Sequence, residues 1–254
     1  VAKYDSYIIC TSPRSGSTLL CKLLAATGVA GHPASYFHRP ELTDWLDRFG
    51  LVPGGDASER EVLEAILRAA ITVGSGETGV FGLRLQRHSF EFFVSKLTVL
   101  YPALQSDVER FAAAFGRTLF VHLTRRDKVE QAVSCVKAEQ SGLWHMAPDG
   151  TELERLSAAR EPVYDAAEIR ACFDTMTAAD RDWEDWFGRE GIDPLHITYD
   201  ALSADPQQVL RQIIVRLGLD PRTADGVTPG VRKLADGING DWVARYRAEF
   251  GMVG

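Results

Sequence analysis

Two stretches of this chain carry residue types and spacings suited to holding phosphate-like anions. The first is Thr11-Ser12-Pro13-Arg14-Ser15-Gly16-Ser17-Thr18. The apolar β-type run Tyr7-Ile8-Ile9-Cys10 leads into it, and the helical spacing of Leu19, Leu20, Leu23 and Leu24 follows it. A strand feeding a Gly-containing loop that opens a helix turns loop N–H groups and a helix N-terminus toward one point, where negative charge is favoured. A kinase-type phosphate loop reads G-x-x-x-x-G-K-[ST], with Lys on the terminal phosphates and a hydroxyl on magnesium. Here Gly16 is followed by Ser17-Thr18, no Gly opens the loop, and the cation, Arg14, stands before the glycine. A small-molecule kinase with a variant phosphate loop is therefore one reading to test.

The second stretch is Arg125-Arg126-Asp127-Lys128-Val129-Glu130-Gln131-Ala132-Val133-Ser134, directly after the apolar run Thr118–Leu123. Asp127 and Glu130 have capping-box spacing, which makes Asp127 the expected helix N-cap. Paired arginines at the C-terminal edge of a parallel strand lie where open α/β sheets bind ligands. Their planar donor forks match phosphate. Ser134 falls two turns into the helix, eight residues after Arg126 and nine after Arg125. A weaker third element is Arg232-Lys233, ahead of Gly240-Asp241-Trp242.

The elements that must position these groups alternate. Strands are expected at Tyr7–Cys10, Val80–Leu85, Thr118–Leu123 and Leu195–Tyr199. Helices are expected at Thr18–Thr27, Glu59–Ile71, Phe90–Leu100, from Asp127 onward, and at Pro206–Leu217. Glu59–Ile71 carries the apolar stripe Val62, Leu63, Ile66, Leu67, Ala70 of an amphipathic helix. Pro206 suits a first turn and Gly218 a helix end. Strands alternating with helices imply a three-layer α/β/α fold around a central, mainly parallel sheet. Gly31–Pro40 reads as a loop. Residues 141–164 show no period and are expected to form a substrate loop or a subunit contact.

The 254 residues suffice for one large α/β domain, and residues 1–254 are read as a single domain. Hydrophobic residues make up 45% and charged residues 25%, an ordinary globular balance. The net charge of -7 argues against nucleic acid or an anionic membrane as a partner, so an anionic ligand needs a local basic cluster. No stretch approaches the roughly 18 apolar residues of a membrane span. Cys10, Cys21, Cys135 and Cys172 show no C-x-x-C spacing and read as reduced thiols of a cytoplasmic protein. Without H-E-x-x-H, clustered Cys or a carboxylate pair, no metal is expected.

Pro13-Arg14-Ser15-Gly16-Ser17-Thr18 resembles the 5′-phosphosulfate loop of sulfotransferases that use 3′-phosphoadenosine-5′-phosphosulfate (PAPS). The Arg125–Ser134 string resembles their 3′-phosphate motif, most closely that of the bacterial trehalose sulfotransferase-like family. The likeness runs through Thr27-Gly28-Val29-Ala30-Gly31, Gly82-Leu83-Arg84-Leu85, Trp183 with Trp186-Phe187, Ile197-Thr198-Tyr199-Asp200, Asp205-Pro206 and Asp241–Arg247, nearly the whole chain. It implies a P-loop-like sulfotransferase fold and transfer of a sulfuryl group from PAPS to a hydroxyl of a carbohydrate or glycolipid. Adenosine 3′,5′-bisphosphate (PAP) is then the product and a homodimer the expected assembly.

By that resemblance Arg14, Ser15, Gly16, Ser17 and Thr18 hold the 5′ end. Arg125 or Arg126, with Ser134, hold the 3′-phosphate, and Arg232-Lys233 match in part the segment that closes over it. Trp183, Trp186 and Phe187 read as helix core. In the trehalose-sulfating relative a Glu after the Gly-Val-Ala-Gly turn is the base, and Ser35 stands at that position here. A serine cannot replace a carboxylate in proton abstraction at neutral pH. His38, with Glu41 behind it, is the expected substitute, and the change points away from trehalose itself as acceptor. A nucleotide-binding protein impaired in catalysis by the loss of that Glu is the other alternative.

Overall fold

The computed structural model describes residues 2–147, 149–228 and 237–251. In chain order its elements are β1 (Ser6–Thr11), α1 (Ser17–Ala26), α2 (Leu42–Phe49), α3 (Glu59–Ser75), β2 (Phe81–Gln86), α4 (Arg87–Leu100), α5 (Asp107–Phe115) and β3 (Thr118–Thr124). Then come α6 (Lys128–Ser141), β4 (Leu143–Met146), β5 (Glu152–Arg155), α7 (Ala166–Glu190), β6 (Leu195–Thr198), α8 (Tyr199–Ala204), α9 (Pro206–Leu217) and α10 (Gly237–Phe250). Four strands form one sheet in the order β2-β1-β3-β6, and every pairing in it is parallel.

The strand sequences are apolar on both sides because both faces of the sheet are covered. Ile8, Cys10, Leu83, Leu85 and Phe120 pack with α3, α4, α5 and the Trp183-Trp186-Phe187 stretch of α7. Tyr7, Ile9, Leu119, Val121 and Leu123 pack with α1 and α9 on the other face. The expected three layers are present, and the three aromatic residues of α7 are buried core. Val129, Val133, Ile169, Trp242 and Tyr246 join α6, α7 and α10 in a third cluster.

Helix boundaries follow local chemistry. Ser58 and Glu61 close a reciprocal capping box on α3, and Ser106 and Glu109 do the same on α5. Asp205 accepts from the Gln208 N–H at 2.9 Å, with Pro206 at the first turn of α9. Asp127 caps α6 through the Glu130 N–H at 2.9 Å. The reciprocal half of that box is absent, because the Glu130 carboxylate accepts from Arg125 at 2.6 Å instead.

The region without a legible period contains the antiparallel hairpin β4–β5, separate from the main sheet. The chain leaves β1 for β2 on one side and returns to β3 on the other. That reversal puts a ligand crevice beyond the C-terminal end of β1, where the Ser12–Gly16 loop begins. Among the described residues, no helix is long and apolar enough to cross a membrane.

Candidate active site

The loop after β1 turns sharply at two residues. Arg14 has φ 60, the one positive φ outside glycine among the described residues, and Gly16 has φ 85. A Cβ at Gly16 would also lie 2.6 Å from Cδ2 of Tyr199, so this position requires glycine on both counts. Gly16 caps α1 with no side chain, which leaves the first N–H groups of α1 free of a side-chain cap. Gln131 on α6 fixes the loop from below, its Nε2 donating to the Pro13 carbonyl at 2.6 Å and to Ser12 Oγ at 3.0 Å. Trp183 donates to the carbonyl of Thr11 at 3.1 Å and so ties α7 to the root of the same loop.

The second motif meets the first directly. Arg14 donates from Nε to Ser134 Oγ at 3.0 Å, and Arg125 donates from Nη1 to the Arg14 carbonyl at 3.4 Å. The Arg125 side chain is 7% exposed, lies 4.5 Å over the Tyr199 ring and is held by Glu130. Both motifs open on one cavity of about 640 Å³, within the range of small-molecule sites of about 300–1,000 Å³. Among the described residues, four arginines (14, 48, 84 and 125) and one carboxylate, Glu154, line it. A chain of net charge -7 thus concentrates positive charge in its cavity.

Arg84 extends from β2 into the same space. Strand alternation puts Arg84 and Gln86 on the face opposite Leu83 and Leu85. The guanidinium donates to Ser35 Oγ at 2.7 Å, Thr18 Oγ1 at 2.7 Å and Ser17 Oγ at 3.3 Å. The loop holding Ser35 is pinned alongside β2 by a bridge between Ala34 and Leu83, with the Arg84 N–H on the Ala34 carbonyl at 3.0 Å. Where the resemblance has a carboxylate, this chain has a hydroxyl held by a cation.

Two histidines in the cavity are neutral at pH 7. His38 sits at the rim, edge-on to His88 with ring centroids 4.7 Å apart. Its pKa is lowered to about 4, first by desolvation against the wall, then by His88, Arg84, Arg39 and Arg48. His145, on β4, is enclosed more fully, with 25% of its side chain exposed. Its pKa is also lowered to about 4, by burial first and then by Arg14, Arg84 and Lys22. His145 Nε2 lies 3.0 Å from Thr18 Oγ1 and 3.3 Å from a Glu154 oxygen. Arg14 Nη1 donates to the Trp144 carbonyl at 2.6 Å, which latches the hairpin onto the loop.

A model of the Stf0 sulphotransferase family matches residues 6–249. The chain belongs to that family. The "Trehalose 2-sulfotransferase" of Mycobacterium tuberculosis is 30% identical to this sulfotransferase over 268 aligned positions, covering 98% of this chain and 96% of the relative. The protein of the same name from Mycolicibacterium smegmatis is 28% identical, covering 96% and 95%. Among solved structures, the "Sulfotransferase Domain from the Curacin Biosynthetic Pathway" superposes with a TM-score of 0.51 at 15% identity, covering 97% of each chain. That likeness shows the shared sulfotransferase fold.

The sequence-expected site residues of this sulfotransferase divide by position. Arg14, Gly16, Ser17, Thr18, Ser35, His38, Arg125 and Ser134 line the cavity. Ser15 is buried beneath it, its hydroxyl bonded to Thr11. Arg126 is exposed and lies outside the cavity lining, which leaves Arg125 as the arginine of the pair at the site. Glu41 is exposed at the start of α2, also outside the lining, and His38 pairs with His88 rather than with it. Arg232 and Lys233 lie outside the described residues. Arg84, Gln86, His145 and Glu154 are cavity residues that the sequence did not single out for a role. Arg84 was legible as a lone cation inside an apolar strand. The hairpin pair had no such signal.

Proposed function

We propose that this sulfotransferase transfers the sulfuryl group of PAPS to a hydroxyl of a carbohydrate acceptor. The observation that carries the reading is the Arg14–Ser134 hydrogen bond at 3.0 Å, through which residues 120 positions apart join two anion-binding motifs in one cavity. Similarity over nearly the full length to two trehalose 2-sulfotransferases supports a sugar acceptor. Ser35 in the place of the relatives' base favours a sugar other than trehalose. Leu156 lines the cavity mouth yet is 67% exposed, an apolar edge suited to a glycolipid tail. The likeness also supports a homodimer and one catalytic domain spanning the chain, the former tested by light scattering.

The residues fit the donor's charges. An exposed helix N-terminus offers only about 0.3–1 kcal/mol per charge, too little alone for so anionic a ligand. The guanidiniums of Arg14 and Arg125 supply what it lacks. The N–H groups of Ser15–Thr18 hold the 5′ end. Arg125 holds the 3′-phosphate together with Ser134, whose oxygen accepts from Arg14 and whose proton is therefore free to be donated. Arg14 stabilises charge growing on the leaving phosphate oxygen, and Arg84 faces the transferring group. As in phosphoryl transfer, positioning and fixed charge supply most of the acceleration.

Calorimetry with PAP should give a sub-millimolar dissociation constant that is lost in Arg14→Ala. Incubation with PAPS and a panel of sugars and glycolipids, trehalose included, should yield a product heavier by one sulfuryl group. Thermal stabilisation by magnesium-ATP with none by PAP would make the protein a kinase and refute this reading.

A further inference from the structure

We infer that His145 removes the proton from the acceptor hydroxyl, with the Glu154 carboxylate offsetting the positive charge that His145 gains; this rests on the sulfuryl-transfer reading above. Both residues belong to the β4–β5 hairpin, which nothing in the two anion motifs foreshadows. The hairpin is placed by the site itself, since Arg14 donates to the Trp144 carbonyl at 2.6 Å, one residue before His145.

The hydrogen-bond chain sets the imidazole's state. Arg84 donates to Thr18 Oγ1 at 2.7 Å, so the Thr18 proton is free to point at His145 Nε2, 3.0 Å away. The base form is the tautomer with Nε2 unprotonated, facing the first turn of α1, where the sulfuryl end is held. Glu154 Oε2 lies 3.3 Å from the same nitrogen, placed to accept once Nε2 carries a proton. Ser35 is held by Arg84 and His38 sits edge-on to His88 at the rim, whereas His145 is hydrogen-bonded at the phosphosulfate loop itself.

As the acceptor oxygen bonds to sulfur, the bond from sulfur to the bridging phosphate oxygen breaks and its electron pair stays on that phosphate. The acceptor proton passes to Nε2, so charge is conserved. The charged groups facing His145 are Arg14 from the loop, Arg84 from β2, Lys22 from α1 and Glu154 from β5. A bound anionic donor offsets the three cations and raises the basicity of the ring when it is needed.

The test follows PAPS consumption with the panel of sugars and glycolipids above as acceptors, alongside PAP calorimetry. His145→Ala should lower kcat by about 10²–10⁴-fold, leave the PAP dissociation constant within about threefold, and regain turnover with added imidazole. Glu154→Gln should lower kcat by about tenfold and shift the acidic limb of the kcat–pH profile to lower pH. Full-strength turnover in His145→Ala, or a loss matched by lost PAP binding and deaf to imidazole, overturns the assignment. A wild-type protein that binds PAP and consumes PAPS with no member of the panel overturns the sulfuryl-transfer reading itself.

Discussion

Replacing Arg125 by Ala tests the division of labour between the two motifs, because each is assigned one end of the same nucleotide. The guanidinium is already immobilised by Glu130 at 2.6 Å and by the Tyr199 ring at 4.5 Å, so little further side-chain entropy is lost when a phosphate arrives. A charge-assisted hydrogen bond contributes about 1.5–3 kcal/mol. Its loss corresponds to about 10- to 150-fold in dissociation constant. That loss should fall on PAP, which has a 3′-phosphate, and spare adenosine 5′-monophosphate, which does not. Arg14→Ala should weaken both ligands.

Calorimetry of the two nucleotides against wild type, Arg125→Ala, Arg125→Lys and Arg14→Ala therefore forms a cycle. In Arg125→Ala the preference for PAP should collapse. Arg125→Lys should fall between, since a point charge replaces a planar fork. Glu130 is 44% exposed, so its carboxylate is left in water and not stranded. Folding should cost about 1–3 kcal/mol, and at about 2–4 °C per kcal/mol the protein stays folded for the assay. Equal weakening of both nucleotides by Arg125→Ala, or none, would refute the 3′-phosphate assignment.

Three further outcomes are expected. Gly16→Ala forces a positive φ on a residue with a Cβ 2.6 Å from Tyr199, which should cost about 1–3 kcal/mol of stability, read as a lower melting temperature, and weaken PAP binding. Gln86 lines the cavity, and its Oε1 is buried without a hydrogen-bond partner among the described residues. Gln86→Leu removes that unpaired acceptor and should leave PAP affinity unchanged without lowering the melting temperature. Because the folded-state pKa of His145 lies at about 4, below the usual histidine value of about 6.5, the unfolded chain binds more protons between those pH values. Stability should therefore be full above about pH 6.5 and fall by about 3 kcal/mol toward pH 4, a slope that His145→Ala or saturating PAP flattens in thermal melts.

What the sequence disclosed followed the strength of its local signals. Strands β1, β2 and β3 are buried almost throughout and read as largely apolar runs, and the edge strand β6 stands just ahead of a clear helix signal, so each was located within a residue or two. The cap Asp127 and the first-turn Pro206 were equally plain. Helix α5 went unread although Ser106 and Glu109 spell its capping box, because its nine residues carry only a short apolar stripe. The hairpin was illegible for a stronger reason. Trp144, His145 and Glu154 sit in four-residue strands with no buried face of their own, and what fixes them is the distant Arg14. Long-range contact leaves no period in the sequence.

Ser35 shows why the two halves of the site must be considered together. A carboxylate there would sit within hydrogen-bond reach of Arg84 Nε, which lies 2.7 Å from the serine oxygen. An ion pair of that kind holds the carboxylate pKa down and spends the cation on an internal partner. With serine in place, Arg84 keeps its full charge for the anion held at Thr18, and proton abstraction falls to a neutral ring on the opposite wall. The exchange is self-consistent because the same two arginines that lower the basicity of His145 in the free protein are the ones that a bound donor neutralises. Base strength then rises only when the donor is in place, which couples proton abstraction to donor occupancy and disfavours futile deprotonation of acceptor or water in its absence.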